Sequence, residues 1–178
     1  MSMHATATEP NPIDGFHRCH IGLITQLEAC SRLPELADAA MLARRMARDT
    51  LKLFDDAVMP HHAEEESELF PAVLRSAHPQ EQATVRELVD KLVAEHRDVE
   101  AQWMLLRPAV KKVARGEDAA IDGPGLAELV RRYHRHARTE EDIFLPLAER
   151  ILGRDGNHMA ALGMSLHMRH VHAMPGYI

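Results

Sequence analysis

One pattern occurs twice in this chain, and its spacing is helical. His61-His62-Ala63-Glu64-Glu65-Glu66-Ser67-Glu68-Leu69-Phe70-Pro71 returns as His136-Ala137-Arg138-Thr139-Glu140-Glu141-Asp142-Ile143-Phe144-Leu145-Pro146. Both copies fit H-x-x-x-E-E-x-x-(L/F)-(F/L)-P, at an offset of 75 residues (136 less 61). Positions i and i+4 of a helix differ by about 40° and about 6 Å of rise, so the histidine and glutamate of each copy share a face. A further histidine on an apolar face precedes each copy, His20 by 41 residues and His96 by 40. Each half then offers two imidazoles and one carboxylate, the set with which a four-helix bundle holds two metal ions inside.

Bulk composition agrees with one helical domain. At 178 residues the chain is long enough for a single sizeable core, with 46% apolar and 27% charged residues. Aromatics are only 4%, while Ala, Leu, Met, Arg and Glu are plentiful, and no segment alternates as a strand would. The net charge of −6, with no basic stripe carrying interleaved aromatics, excludes nucleic acid as the expected partner. No apolar run reaches bilayer length and Met1–Asn11 lacks an apolar h-region, so no membrane association is expected. Cys19 and Cys30 make neither a disulfide framework nor a zinc knuckle, and a reducing cytoplasm is the expected location. The outlier is histidine, with 13 copies.

Punctuation divides the chain into a disordered leader (1–11), a helical domain (12–153) and a short helical extension (154–178). Asn11-Pro12 reads as an N-cap with proline at the first helical position. The first helix is expected to reach about Leu33, stopped by Pro34, with Ile13, Phe16, His20, Ile24 (or Leu23) and Leu27 buried. The second spans about Glu35 to Ser76, with Met46, Leu51, Phe54, Val58, His61, Glu65, Leu69 and Val73 on one side. Pro60 and Pro71 should bend or split it. The third runs from about Pro79 to Arg115, with Val85, Leu88, Leu92, His96, Val99, Trp103 and Leu106 inward and a bend at Pro108. Gly116 to Gly125 is a loop. The fourth, about Leu126 to Leu152, turns Leu129, Tyr133, His136, Glu140, Phe144 and Leu147 inward. A shorter helix is expected from about Asn157 to His172.

A lone histidine on a helix is usually solvated or hydrogen-bonded, but these stand in register. Helices one and three align at an offset of 76 (96 less 20), matching Phe16 with Leu92, His20 with His96, Leu23 with Val99 and Leu27 with Trp103. Repeated apolar residues follow from bundle packing alone; repeated histidines and glutamates on the apolar stripe do not. Buried without partners, each would cost several kcal/mol, which a pair of cations offsets. Paired E-x-x-H and H-E-x-x-H are both absent, as is any recognisable nucleophile motif or glycine-rich phosphate loop.

H…H-x-x-x-E…H…H-x-x-x-E, with Leu69-Phe70-Pro71 trailing the first copy, resembles the hemerythrin-like (HHE cation-binding) domain family across about Pro12 to Leu152. The resemblance implies an all-α fold, an antiparallel up-down-up-down four-helix bundle around a carboxylate- and oxo-bridged pair of non-haem Fe ions. Carried over by position, the metal ligands are His20, His61, Glu65, His96, His136 and Glu140. The oxygen-carrying members resemble H-x-x-x-H on the third helix and H-x-x-x-x-D on the fourth. Here Glu100 and Glu141 stand at those places, closer to the four-His, two-Glu pattern of the branch linked to iron–sulfur repair and nitric oxide stress.

Two octahedral irons have about twelve positions, of which these ligands and one oxo or hydroxo bridge fill about ten. Open positions imply binding of, or reaction with, O2, NO or peroxide, in sensing or stress response. The alternatives are an iron storage or donor protein for iron–sulfur cluster repair and a di-iron peroxidase or NO reductase. Neighbouring residues receive lesser roles: His17 as an extra ligand or hydrogen-bond donor, His62 and Glu66 as solvated neighbours, Glu141 as a weaker rival of Glu140, and Tyr133 and Trp103 as core. The C-terminal His167, His170 and His172 read as a solvated amphipathic helix or a cover over one end of the bundle.

Overall fold

The computed structural model describes residues 12–154, and among them it contains helices and no strand. The leader and nearly all of the C-terminal extension, with His167, His170 and His172, lie outside the described residues. The chain divides into two units, Met1–Arg45 and Met46–Ile178.

The first unit holds α1 (Pro12–Cys30) and the start of α2 (Leu33–Leu53). Pro34 was expected to stop the first helix. Instead α1 ends in a turn, with the Ser31 N–H on Glu28 O at 3.1 Å, and Pro34 lies in the first turn of α2. A proline is tolerated there because that turn leaves its N–H groups without helical partners anyway. The stripe expected to be buried on α1 is exposed, Phe16 at 66% and Leu27 at 69%. Two helical stretches taken alone enclose too little volume for a core.

The second unit is three helical rods. The first continues from α2 through a π turn (Phe54–Val58), α3 (Met59–Glu64), a second π turn (Glu65–Leu69) and α4 (Phe70–Ser76). The second rod is α5 (Gln82–Arg115), which passes through Pro108 without interruption. The third is α6 (Gly123–Thr139), a π turn (Glu140–Phe144) and α7 (Leu145–Leu152).

Each π turn ends two residues before a proline: Pro60, Pro71 and Pro146. Proline has no N–H for the i−4 carbonyl and its ring collides with that carbonyl in an α-helix. The chain opens into a wider turn instead, closed by i→i−5 bonds from Met59 to Phe54, Phe70 to Glu65 and Leu145 to Glu140. Pro60 and Pro71 were expected to bend or split the helix; the rod instead stays helical and changes register.

Two apolar clusters form the core of this unit. One joins Phe70, Val73, Val85, Val89, Leu92, Phe144, Ile151 and Leu152. The other joins Phe54, Val58, Val99, Trp103, Leu106, Val110 and Leu129. The outer rods run from the second cluster to the first and α5 runs the other way, so consecutive rods are antiparallel. Between the clusters, every rod contributes buried polar side chains instead of apolar ones: His62 and Glu65, His96, and His136 with Glu140.

Loop chemistry fixes the turn from α5 to α6. Gly116 takes a left-handed φ of 79°, and the Glu117 N–H reaches Lys112 O at 3.0 Å, a glycine-terminated helix end. Asp122 then caps α6 by accepting the Gly125 N–H at 3.0 Å.

Candidate metal centre

The polar layer brings five side chains into two overlapping groups that share His96 and His136. One donor atom from each of Glu65, His96, His136 and Glu140 lies within 4.8 Å of the others, and His62, His96 and His136 form a second group of the same kind. His62, His96 and His136 are each at most 1% exposed, and Glu65 and Glu140 are buried beside them. The Nε2 atoms of all three histidines, with Glu65 Oε2 and Glu140 Oε1, are buried and have no hydrogen-bond partner. His96 Nε2 lies 3.3 Å from Glu65 Oε2 and 3.9 Å from Glu140 Oε1, within ion-pairing reach but without the geometry of a hydrogen bond.

The outward nitrogens of His96 and His62 are held by carboxylates, while that of His136 faces one without a hydrogen bond. His96 Nδ1 lies 2.8 Å from Glu66 Oε1, His62 Nδ1 lies 3.0 Å from Glu100 Oε1, and His136 Nδ1 faces Glu95 Oε2 at 3.5 Å. A carboxylate accepts and does not donate, so Nδ1 carries the proton where these bonds form. In a neutral ring that leaves the Nε2 lone pair facing the centre. Such an outward carboxylate behind an inward imidazole is the usual support of a metal-ligating histidine.

The charges fit a cation. Burial pushes His62 down to about 4 against the pull of Glu100, and burial likewise lowers His136, so both favour the neutral ring, the form able to ligate a metal. Burial also disfavours charge on His96, but Glu140, Glu65 and Glu66 outweigh it and raise this ring to about 10. Burial, reinforced by the nearby Glu140 charge, raises the Glu65 carboxyl. Glu140 is desolvated too, yet His96 and His136 draw it below the usual carboxylate range. In the metal-free protein a proton on His96 thus offsets part of the carboxylate charge, a place that a bound cation would take.

The sequence candidates divide by position. Glu65, His96, His136 and Glu140 come together. His61 stands at the rim, its side chain 44% exposed and Nε2 3.5 Å from Glu65 Oε1. His20 is on α1, in the other unit, and is exposed, as is His17. Glu140 is buried and Glu141 exposed. His62, expected as a solvated neighbour, is buried. Its signal was Pro60: the π turn before it advances the inward face by about one residue, from 61 to 62.

A cleft of about 180 Å³ leads to this rim, lined by His61, Glu64, Glu65, Leu69, Glu140, Glu141 and Leu145. Nearby, Tyr133 packs its ring 6.0 Å from that of His136. Burial, then the charges of Glu140 and Glu65, push its phenol above the ordinary value and keep it protonated.

Helical rods around a buried histidine–carboxylate layer define a helical protein with a cluster that could hold metal ions. Residues 11–148 match the Hemerythrin HHE cation binding domain, and the chain belongs to that family. It is also 26% identical over 162 residues to an uncharacterized protein of Haemophilus influenzae, covering 87% of this chain and 91% of the relative. No solved structure matches the chain significantly.

Proposed function

We propose that this chain is a non-haem di-iron protein that binds or reacts with O2 or NO in sensing or stress response. The observation that carries the reading is the convergence of three unpartnered Nε2 atoms and two unpartnered carboxylate oxygens in the buried layer. Buried polar atoms without partners are rare in native proteins, and a mixed imidazole and carboxylate donor set suits iron. His96, His136, Glu65 and Glu140 would hold metal, with His62 beside them. His61 and His20 complete the set on the strength of the sequence repeat, and the antiparallel four-helix bundle belongs to the same proposal.

When bound, iron supplies a redox-active Lewis acid with positions for a diatomic ligand. The protein's own groups do the rest. Glu66 and Glu100 orient His96 and His62 through Nδ1, while Phe70 and Phe144 wall the layer on one side and Val58 and Val99 on the other. The cleft beside His61 has room for a small molecule, and Tyr133 keeps a phenolic proton close to His136.

Anaerobic iron loading followed by titration with O2 and with NO tests the proposal. Two irons per chain and an optical change with either gas are expected, both lost in Glu140→Ala. Protein that takes up no iron, or iron that is silent to both gases, overturns it. Transfer of iron to an apo iron–sulfur acceptor would favour the donor reading instead.

A further inference from the structure

The carboxylates behind His62 and His96 are not independent. Glu66 accepts from the Arg97 Nη2 through the oxygen that does not face His96. Arg97 Nη1 donates to Glu100 Oε2 at 3.1 Å, and the other Glu100 oxygen faces His62. A continuous path therefore runs His96–Glu66–Arg97–Glu100–His62, closed at its inner end by the two stacked rings. Its buried members are the imidazoles; the Glu66 and Glu100 side chains are 23% and 18% exposed and Arg97 is 55% exposed. Three rod segments meet in this path: His62 on α3, Glu66 on the π turn after it, and the remainder on α5.

We propose that Arg97 is a positioning residue whose guanidinium ties Glu66 to Glu100 and so holds the stacked His96 and His62 rings with both Nε2 atoms turned into the cluster. An imidazole can rotate about its terminal torsion, and a single carboxylate on a mobile side chain restrains it weakly. One planar guanidinium with two donors fixed at an angle restrains both carboxylates at once. An ammonium on a flexible stem offers no such fork, so Arg97→Lys would keep the charge without the geometry. The inference rests on the metal-site reading for its consequence, but the ring orientation itself belongs to the metal-free protein.

Two measurements on the full chain separate these layers. In metal-free protein, nitrogen-15 spectra should show slowly exchanging Nδ1–H resonances for His62 and His96. Arg97→Ala and Arg97→Lys should both broaden or lose the pair, with the backbone amide spectrum and the indole resonance of Trp103 unchanged. In iron- or zinc-loaded protein, the same variants should weaken metal retention against a chelator by roughly 10–100-fold. Glu66→Gln should affect the His96 resonance most, and Glu100→Gln that of His62. Unchanged Nδ1–H resonances in Arg97→Ala overturn the positioning role, whatever the metal does. So does full recovery by Arg97→Lys, which would reduce the role to charge. Altered resonances in a protein that binds neither metal uphold the positioning role and overturn the metal-site reading.

Discussion

The imidazoles of His62 and His96 stack with centroids 3.9 Å apart and 4° between their planes. Two rings in that arrangement cannot both be charged without strong repulsion, and the surroundings favour the second, charging proton on His96 alone. His62 is therefore a neutral donor with its free nitrogen in the cluster, and its loss should be felt there. His62→Ala is expected to weaken metal binding by about 10-fold or more in a competition titration, the scale on which groups supporting a metal site act. His62→Ala with wild-type metal affinity would return this residue to the supporting core.

Metal should also stabilise the fold, because the cluster exists only once the rods have packed. A ligand present at about 100 times its Kd adds about 2.7 kcal/mol. Thermal melts with and without iron or zinc should show that increment as a higher Tm, reversed by a chelator. Glu140→Gln should abolish the increment while leaving a cooperative melt. An equal increment in the variant would place the metal elsewhere.

The repeat points to a buried layer on four helices, and three of them carry it while His20 on α1 is exposed. On α5 the inward positions are legible because their spacing follows a plain 3.6-residue period: Val85, Val89, Leu92, His96, Val99, Trp103 and Leu106. Period counting failed where the helix is not α. From Phe54 the inward positions run through Val58 to His62, and from Glu65 to Phe70, because Phe54–Val58 and Glu65–Leu69 are π turns. Proline signalled those places, but as a bend, since nothing local distinguishes a kink from a wide turn. Pro108 carries the same signal and α5 runs through it. Glu66 reads as a solvated neighbour and Glu100 as a residue standing where the oxygen-carrying members have a histidine; their place behind His96 and His62 depends on which rod faces which, which no local pattern carries.

The half of the core beyond the polar layer is anchored by Trp103, 1% exposed and stacked on Phe54 at 4.1 Å between centroids. Trp103→Ala should cost about 3–5 kcal/mol, the usual range for removing a buried aromatic. Urea unfolding followed by circular dichroism checks this, since the chain has a single tryptophan and its fluorescence would be gone. A loss below about 1 kcal/mol would mean that the neighbouring side chains collapse into the space.

Glu81 joins the start of α5 to the end of α7, its two oxygens taking the Arg154 guanidinium at 2.6 and 2.7 Å. The Arg154 hydrogen bonds hold its carboxyl down to about 2, against an ordinary 4.5. A depressed folded pKa makes its stabilising contribution complete above the unfolded value and lost as pH falls through the folded one. Wild type should therefore exceed Glu81→Gln in urea midpoint at neutral pH, and the gap should close between about 4.5 and about 2. A gap independent of pH over that window would assign the difference to packing.

Pro146 tests whether proline or packing sustains the π turn at Glu140–Phe144. Replacing it with alanine restores an N–H and removes the ring, which in a regular helix is worth about 3 kcal/mol. Rewinding the segment to α geometry would turn α7 by about 100° relative to Glu140. Ile151 and Leu152, 1% and 2% exposed, would leave the core at roughly 1.5–3 kcal/mol each. Ala148 would leave with them, so packing outweighs the gain and the register should hold. Pro146→Ala is thus expected to keep its helix content, melt no lower than wild type and release metal to a chelator at an unchanged rate. Faster release with a lower Tm would show that the proline itself maintains the wide turn, and with it the alignment of Glu140 on the cluster.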